Sequence, residues 1–334
     1  MERSREQTGC AECRLSAPLN VQRISFQTLS TIPVHDGFAL VSRSVSGGGD
    51  AIFLYVETEG IEDVRHRQTS GIGVFAKPRM KQSRRFRVSI VGEHGPTTHD
   101  LPPLNVTFPL VDRFPDGRIL VVASRARWRG EDDFDRNAVV VDPRTGTTHS
   151  FLVGDGVEDA FVDSHGRIWV SYFDEGVCGN FGWGDPGPEP VGAAGLNCFD
   201  DHGALLWRFP VDCRYGPIDD CYALNVCADE ARVFAYSAFE LCRVGSRFEV
   251  TGWTTRLAGC HAFAVSGSHV LFTGQYHDPA DTGYLGELSN GRLANVETVT
   301  FELPDGGAFE SGQFVGRCDA LHFFDAQGWH RACI

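Results

Sequence analysis

The stretch from Val162 to Gly184, VDSHGRIWVSYFDEGVCGNFGWG, decides the fold of this chain. Its first half places apolar and aromatic residues on both sides of a polar turn that contains Gly166. β-branched and aromatic residues suit a half-buried pleated surface, and Gly adopts the positive φ that tight turns need. Its second half is rich in Gly, Asn, Phe and Trp. The stretch therefore predicts a β-hairpin followed by a long aromatic loop.

Hairpins of this first kind recur along the chain, and a second kind follows each of them. The first kind includes PLVDRFPDGRILVVAS (109–124), ALNVCADEARVFAYS (223–237) and AFAVSGSHVLFTG (262–274), with weaker copies in IPVHDGFALVSRS (32–44) and AFESGQFVGRC (308–318). The second kind includes AVVVDPRTGTTHSF (138–151), LNCFDDHGALLWRF (196–209), ELCRVGSRFEVTGW (240–253), YLGELSNGRLANVETV (284–299) and ALHFFDAQGWHRAC (320–333). Their alternation predicts six four-stranded antiparallel units, which start near Thr28, Val106, Val157, Tyr222, His261 and Gly306.

Four-stranded units at spacings of roughly 40–50 residues are typical of a β-propeller. A single unit has two apolar faces, and packing the units in a ring covers both. We predict an all-β fold, a six-bladed propeller in one domain over residues 20–334, preceded by a flexible segment over residues 1–19. A seven-bladed ring or a sandwich is the alternative. The segment Asn20–Ser30 is either an extra outer strand or the first inner strand, so the closure of the ring stays open at this point.

The hairpin sequences DGRILVVAS (116–124) and HGRIWVSYF (165–173) resemble those of propellers in the NHL, gluconolactonase and streptogramin-lyase-like group. The resemblance covers most of the chain as a repeat rhythm and implies the propeller fold. It also implies a metal near the channel axis, as in the lactonase and lyase members. No family-wide catalytic motif is matched, so the resemblance assigns no catalytic residue.

Charge and cysteine content narrow the classes of partner and compartment. The formal net charge is −14, which disfavours nucleic acid and anionic membranes as partners. The N-terminus lacks the apolar core of a secretory signal, and eleven cysteines without a signal favour a reducing, cytoplasmic setting with free thiols. We expect five of these cysteines to be small core residues: Cys198, Cys227, Cys242, Cys318 and Cys333. The pair Cys10 and Cys13 is weak evidence for zinc.

Several long loops fall on one face of the predicted propeller, here called the top face, which carries the connections between strands two and three and between blades. They are residues 43–51, 124–138, 173–195, 210–222 and 274–284. Long loops on a rigid scaffold commonly carry function. We predict ligand contacts from seven loop residues: Arg127, Trp128, Asp174, Glu175, Phe181, Trp183 and His277. The alternatives are that the 173–195 loop is a compact packed loop and that the charged residues of 124–138 pair with one another.

The inner strands of a propeller begin on the top face, so their first residues converge on the axis. We predict a catalytic centre of Glu158, Asp220 and His261 there, with Asp159, Asp219, Cys260 and Glu310 as neighbours. The oxygen atoms of Glu158 and Asp220 suit Ca²⁺ or Mg²⁺, and an imidazole can serve as a general acid or base. The alternative is that these groups bind channel water and each other.

The segment Glu59–Arg85 carries much of the basic charge and is predicted to be an excursion from the first blade. It is either a docking patch for an acidic partner or a solvated edge whose charge prevents aggregation. Phosphate-loop, dinucleotide, G-x-S-x-G and H-E-x-x-H motifs are absent from the sequence. Two hypotheses of function follow: a hydrolase or lyase, metal-assisted, that binds a small polar molecule in a top-face pocket, or a scaffold that binds a protein or peptide there without chemistry.

Overall fold

Six four-stranded antiparallel sheets form a six-bladed β-propeller in the computed structural model, which describes residues 22–70, 73–309 and 312–334. The described residues begin with two short strands, β1 (Gln22–Ser25) and β2 (Gln27–Ser30). Blade 1 contains β3 (Phe38–Val45), β4 (Ala51–Glu57), β7 (Arg84–Gly92) and β8 (Gly95–Leu104). A 3₁₀ turn (Thr58–Gly60), α1 (Ile61–Val64) and the hairpin β5 (Arg67–Ser70) and β6 (Gly73–Ala76) lie between β4 and β7.

Blades 2 to 4 follow the alternation of hairpins that the sequence predicts. Blade 2 contains β9 (Pro109–Arg113), β10 (Ile119–Ala123), β13 (Ala138–Val141) and β14 (Thr148–Phe151), with a small hairpin of β11 (Trp128–Gly130) and β12 (Asp133–Phe134). Blade 3 contains β15 (Val157–Val162), β16 (Ile168–Tyr172), β17 (Leu196–Phe199) and β18 (Leu205–Arg208), with α2 (Asp174–Cys178) after β16. Blade 4 contains β19 (Asp220–Cys227), β20 (Glu230–Tyr236), β21 (Glu240–Val244) and β22 (Val250–Trp253).

The last two blades take their outermost strands from the start of the chain. Blade 5 contains β23 (Ala262–Ser266), β24 (His269–Thr273), β25 (Thr282–Ser289) and β26 (Arg292–Glu302), and β1 pairs with β26 in parallel. Blade 6 contains β27 (Gln313–Arg317), β28 (Ala320–Phe324) and β29 (Trp329–Cys333), and β2 pairs with β29 as its fourth strand. The segment before blade 1 is therefore an outer strand of both blades, and it closes the ring.

This closure corrects two of the predicted units. The segment near Thr28 belongs to blade 6, so the inner strand of blade 1 begins at Phe38. The stretch ALHFFDAQGWHRAC supplies strands two and three of blade 6, because its fourth strand comes from β2. The prediction that residues 43–51 form a top-face loop is also wrong, because Ser46–Asp50 is the turn between β3 and β4 and lies on the opposite face, here called the bottom face. The segment 1–19, with Cys10 and Cys13, and Glu310 lie outside the described residues.

Apolar side chains fill the spaces between neighbouring sheets. One cluster joins blades 1 and 2, through residues such as Leu54 and Val121, and another joins blades 2 and 3, through Val122 and Val170. This packing covers both faces of each blade, which a lone blade could not do.

Two of the expected core thiols form a disulfide instead. Cys227 ends β19 and Cys318 follows β27, and their Cα atoms are 4.7 Å apart. The bond joins the bottom ends of blades 4 and 6 past the turn of blade 5. Cys198 and Cys242 are buried as expected, whereas Cys333 is exposed. None of the helices in the described ranges is long and apolar enough to cross a membrane.

The basic segment Glu59–Arg85 is an excursion from blade 1, as predicted, and it connects strands two and three on the top face. Part of its charge is paired locally, since Arg84 contacts Asp63 and Arg85 contacts Glu57. Arg79 lies 3.5 Å from the buried carboxylate of Asp135 in the blade 2 loop.

Candidate functional site

The top mouth of the channel is formed by the first residues of the inner strands β3, β9, β15, β19, β23 and β27. Glu158 is the second residue of β15, Asp220 is the first residue of β19, and His261 immediately precedes β23. The three predicted catalytic residues therefore belong to the consecutive blades 3, 4 and 5. The topology places all three at the same end of the ring although they span about 100 positions of the sequence, and the charge of Asp220 acts on Glu158.

Two neighbouring inner strands are bulged at this mouth. The pairing of β15 with β16 passes from Val157 to Asp159, so Glu158 has no partner in the ladder. The pairing of β19 with β20 passes from Cys221 to Ala223, so Tyr222 is the extra residue there. A bulge redirects local side chains and is over-represented next to functional sites. Both irregularities fall where the two blades face the channel.

Burial raises the pKa of three carboxyl groups at this mouth, and neighbouring charges add to the effect for two of them. Burial, followed by the charges of Asp159 and Asp220, raises the pKa of Glu158 to about 8, although solvent in the channel reaches its side chain. Burial raises the pKa of Asp159 to about 6, against a hydrogen bond that the Leu224 N–H donates to its carboxylate. Burial and the charge of Asp174 raise the pKa of Asp220 to about 6. At neutral pH Glu158 is mostly protonated, whereas Asp159 and Asp220 are mostly ionised.

A wall of aromatic side chains stands beside Asp220. The Tyr222 ring lies 5.4 Å from Phe239, 5.9 Å from Tyr276 and 6.4 Å from Tyr236, measured between ring centroids. The Tyr276 hydroxyl donates a hydrogen bond to the Tyr222 hydroxyl. Tyr236 is 45% exposed and Tyr276 is 44% exposed. Exposed rings next to carboxylates form a surface suited to cationic or sugar-like groups.

The position of α2 brings a further carboxyl group to the mouth. Helix α2 lies against β19, which puts Asp174 close enough to Asp220 to act on its pKa. The Phe173 N–H donates to the Gly156 carbonyl at 2.9 Å. The backbones of Gly156 and Gly176 are in such close contact that a Cβ at either position would overlap the other chain segment. These two glycines therefore fix the helix against the inner strand of its own blade.

A buried arginine holds the 173–195 loop to blade 2. The Arg125 guanidinium donates to both carboxylate oxygens of Asp155, at 2.9 and 2.8 Å, and lies 2.5 Å from Glu175. Its guanidinium carbon is 4.5 Å from the Phe181 ring centroid. Arg125 is 4% exposed. Bidentate pairing of this kind fixes orientation as well as charge, so Arg125 positions the loop and Glu175.

The residues predicted as ligand contacts in these loops contact each other across the blade boundary. The guanidinium carbon of the exposed Arg127 lies 5.0 Å from the Phe181 ring centroid, and the main-chain N–H of Trp128 donates to the Phe181 carbonyl at 3.0 Å. Trp183 is 8% exposed, and its indole N–H donates to the Ala126 carbonyl at 2.9 Å. The loop is therefore packed against blade 2, as the compact-loop alternative describes, with Trp183 as its anchor.

The two predicted histidines lie in blade 5. The Nδ1 atom of His261 is 3.4 Å from the Gly274 carbonyl, and its ring centroid is 6.3 Å from Phe314. Desolvation lowers its pKa, against the contact with the Gly274 carbonyl, although part of the residue is exposed to solvent. Within the described residues it makes no hydrogen bond to a carboxyl group. His277 follows Tyr276 on an exposed loop, at a positive φ of 65°.

The predicted cation site has oxygen donors but an incomplete set of ligands. Glu158 and Asp220 supply carboxyl oxygens, which Ca²⁺ and Mg²⁺ prefer. Within residues 22–70, 73–309 and 312–334, no group of three or more His, Cys, Asp or Glu side chains is arranged to hold a metal ion. The described side chains therefore do not fit a metal held mainly by protein, and no chemical step is assigned to one.

The sequence patterns did not mark the aromatic wall or Arg125. Tyr222 could have been found by the rule that selected Asp220, since both begin the same inner strand. The rings of Tyr236 and Tyr276 come from the connections of two different blades, and their proximity depends on the angle between those blades. The partners of Arg125 lie 30 and 50 residues away, and no local pattern marks them.

Comparisons with known proteins gave similarities to solved structures alone. No family model matches the sequence, and no curated protein matches it. Among solved structures, the chain is similar to virginiamycin B lyase from Staphylococcus aureus, with 11% identity, 92% of this chain and 98% of that chain covered, and a TM-score of 0.48. It is similar to regucalcin, a calcium-binding protein from Agrobacterium tumefaciens, with 11% identity, coverages of 94% and 95%, and a TM-score of 0.47.

A gluconolactonase from Xanthomonas campestris is also similar, with 12% identity, coverages of 87% and 92%, and a TM-score of 0.43. These proteins include a lyase and a gluconolactonase, the kinds of protein that the hairpin sequences resemble. At this level of identity the likeness transfers no residue role to this chain.

Proposed function

We propose that the top mouth is the active site of a hydrolase or lyase that acts on a small polar molecule, with Glu158 and Asp220 as its acid and base. One observation carries the proposal: two carboxyl groups from adjacent blades share an opening, and their pKa values of about 8 and about 6 lie on either side of neutrality. Pairs of titratable groups whose environments separate their pKa values are typical of acid–base catalysis.

The protonation states assign a role to each group in the hydrolysis of an ester or lactone. The Asp220 carboxylate takes a proton from a water molecule as the water oxygen bonds to the carbonyl carbon. As the bond between that carbon and the alkoxy oxygen breaks, the Glu158 carboxylic acid donates its proton to the leaving oxygen. Asp220 is left protonated and Glu158 ionised, and exchange with solvent restores both. His261 and Tyr222 would contact the substrate from the same mouth.

Hydrolysis of p-nitrophenyl acetate and γ-butyrolactone tests the proposal. Because a positioned acid or base contributes about 10²–10⁴-fold, we expect Glu158→Gln and Asp220→Asn each to lower kcat/KM at least about 100-fold. Glu131→Gln and Asp132→Asn are matched controls, since these exposed residues lie on the blade 2 loop, and they should stay within about twofold of the wild type.

Failure of the wild-type protein to exceed the buffer rate, or full activity in Glu158→Gln, would contradict the proposal. Full activity in His261→Ala would remove the imidazole from the mechanism. Calorimetric titration with CaCl₂ and MgCl₂ belongs to the same experiment, because saturable binding that Asp220→Asn abolishes would support the predicted cation site.

A second candidate is a scaffold that binds a basic segment of a protein or peptide at the same mouth. The exposure of Tyr236 and Tyr276 beside the Asp220 carboxyl favours it, since rings and carboxylates together bind Lys and Arg side chains. In this case ester hydrolysis would be absent, and a labelled tetra-arginine peptide would bind the wild type and lose affinity in Tyr276→Ala.

A further inference from the structure

The bottom mouth of the channel contains cavities that the proposed function does not use. It is formed by the turns between the first two strands of the blades, which include Ser46–Asp50 in blade 1 and Asp163–Arg167 in blade 3. A cavity of about 310 Å³ is lined by residues from blades 1, 2, 3, 4 and 6. A second cavity of about 200 Å³ lies between blade 1 and blade 6. The Ser46–Gly48 turn and Arg317 line both cavities, so they form the partition between them.

Arg317 is a buried cation with unused donors. The residue ends β27, is 2% exposed, and lies with its guanidinium carbon 4.6 Å from the Phe161 ring centroid. Its Nη2 atom donates to the Val162 carbonyl at 2.7 Å and to an Asp112 carboxylate oxygen at 3.3 Å. The Nε and Nη1 atoms have no acceptor among the described residues, and both are enclosed by protein. Burying a charged group without a full set of acceptors costs free energy, so an anion placed next to the guanidinium group would be bound favourably through its charge.

The carboxylates nearby are already engaged. Asp112 accepts hydrogen bonds from the backbone N–H groups of Val162 and Arg113, both at 2.7 Å. Asp50 lies 3.0 Å from the Arg113 guanidinium. Asp319 lies at the rim of the smaller cavity and is exposed.

A second arginine reaches the smaller cavity from β29. Arg331 is half-buried, lines the cavity, and makes no ion pair or side-chain hydrogen bond in the part of the chain that the structure describes. Burial, followed by the charges of Arg331 and Arg317, lowers the pKa of His322 to about 3. Both guanidinium groups therefore act on the same imidazole.

The turn that covers Arg317 offers backbone donors. Gly47 and Gly48 are exposed, and within the described ranges their N–H groups donate to no acceptor. A Cβ at Gly47 would lie 3.2 Å from Nη2 of Arg317, so the glycine lets the main chain approach the guanidinium closely. Main-chain N–H groups beside guanidinium groups are a common arrangement for binding oxyanions.

We propose that the bottom mouth binds a small oxyanion, a carboxylate or a phosphate group, through the Arg331 guanidinium and the main-chain N–H groups of Gly47 and Gly48, with the charge of Arg317 directly beneath them. The cavity of about 200 Å³ accommodates one such group with its water. The site is independent of the carboxyl groups at the top mouth, which lie at the other ends of the inner strands.

Calorimetric titration of the full chain with sodium phosphate and with sodium acetate, at an ionic strength held constant with NaCl, tests the proposal. We expect saturable binding of at least one anion, at least tenfold weaker in Arg331→Gln. Arg292→Gln is the matched control, because this exposed arginine begins β26 in blade 5, and its affinity should stay within about twofold of the wild type.

The preferred anion identifies the source of the ligand: tighter binding of phosphate indicates a phosphorylated molecule, and tighter binding of acetate indicates a carboxylic acid. Absence of saturable binding for both anions, or wild-type affinity in Arg331→Gln, would overturn the proposal. Glu158→Gln should bind the anion as the wild type does, which separates this test from the test of the top mouth.

Discussion

At the scale of single residues, the environment of Glu158 determines its chemistry. A glutamate side chain has a pKa near 4.5 in water, but here burial and two neighbouring carboxyl groups raise the pKa of Glu158 to about 8. The unpaired position in the bulge of β15 places the side chain in the channel without a basic partner. Arg125 shows the opposite arrangement, since two carboxylates neutralise it and it serves to position a loop.

The raised pKa predicts how stability depends on pH. A carboxyl group whose pKa is higher in the folded state than in the unfolded state stabilises the fold below the unfolded value, and that stabilisation is lost as the pH rises through the folded value. Raising the pH from 4.5 to 8 should therefore lower the free energy of unfolding of the wild type relative to Glu158→Gln. Because solvent in the channel screens the charge, we expect a difference on the order of 1 kcal/mol.

Urea unfolding of both proteins at pH 5 and pH 8 measures this difference. Glu131→Gln is the control, and it should follow the wild type at both values. Equal pH dependence in the wild type and Glu158→Gln would show that the carboxyl group is solvated as in water, and it would also weaken its role as an acid.

At the scale of elements, α2 links the scaffold to the top mouth. The helix has only five residues, and contacts with its surroundings hold it in place. Gly156 has a φ of +66°, and its main chain lies directly against the backbone of Gly176, so the start of β15 and the helix fit together only because neither residue has a Cβ. Asp174 and Glu175 depend on this close approach for their positions.

Gly156→Ala should displace α2 and destabilise the protein by at least about 3 kcal/mol, because strain at a positive φ and overlap with Gly176 add together. Gly146→Ala is the matched control. Its φ is +72° and no atom lies within 4 Å of the added Cβ, so only the strain of about 1 kcal/mol applies. Thermal unfolding compares the two variants, and equal losses would mean that the glycine contact contributes nothing to the placement of the helix.

The elements also show what sequence patterns can predict. The hairpin in Val162–Gly184 and its copies predicted the six blades because turn chemistry and alternation are local properties. The same rule placed Glu158, Asp220 and His261 at one mouth, since the start of an inner strand is a position in the topology. The contacts of Arg125 with Asp155 and Glu175 and the aromatic wall around Tyr222 could not be predicted, because they depend on distances between blades.

At the scale of the whole molecule, the ring is held closed at two places. The N-terminal strands β1 and β2 complete blades 5 and 6, whose other strands come from the C-terminal part of the chain. The disulfide between Cys227 and Cys318 joins blades 4 and 6 at the bottom. The sequence alone did not show how the ring closes, because a strand that pairs with a partner about 300 residues away has no local sequence feature that identifies this partner. The error in the first and last units has this single cause.

Phe26 tests the importance of the N-terminal closure. It lies between β1 and β2, is 2% exposed, and packs edge-on against Phe301 and Phe309 at centroid distances of 5.5 and 5.4 Å. Phe26→Ala should lower the free energy of unfolding by about 3–5 kcal/mol, because it leaves a cavity between the last two blades. Val34→Ala, at a position 89% exposed in the same N-terminal part of the chain, should change it by less than about 0.5 kcal/mol.

Urea unfolding followed by tryptophan fluorescence measures both variants. Because the closing strands hold blades 5 and 6 together, the loss in Phe26→Ala should appear as a lower midpoint of one cooperative transition, with the slope unchanged. A loss below about 1 kcal/mol would mean that the ring closes without β1 and β2 and that these strands contribute little to its stability. In that case the disulfide and the contact between blades 6 and 1 would carry the closure, and Cys227→Ser would become the more destabilising change.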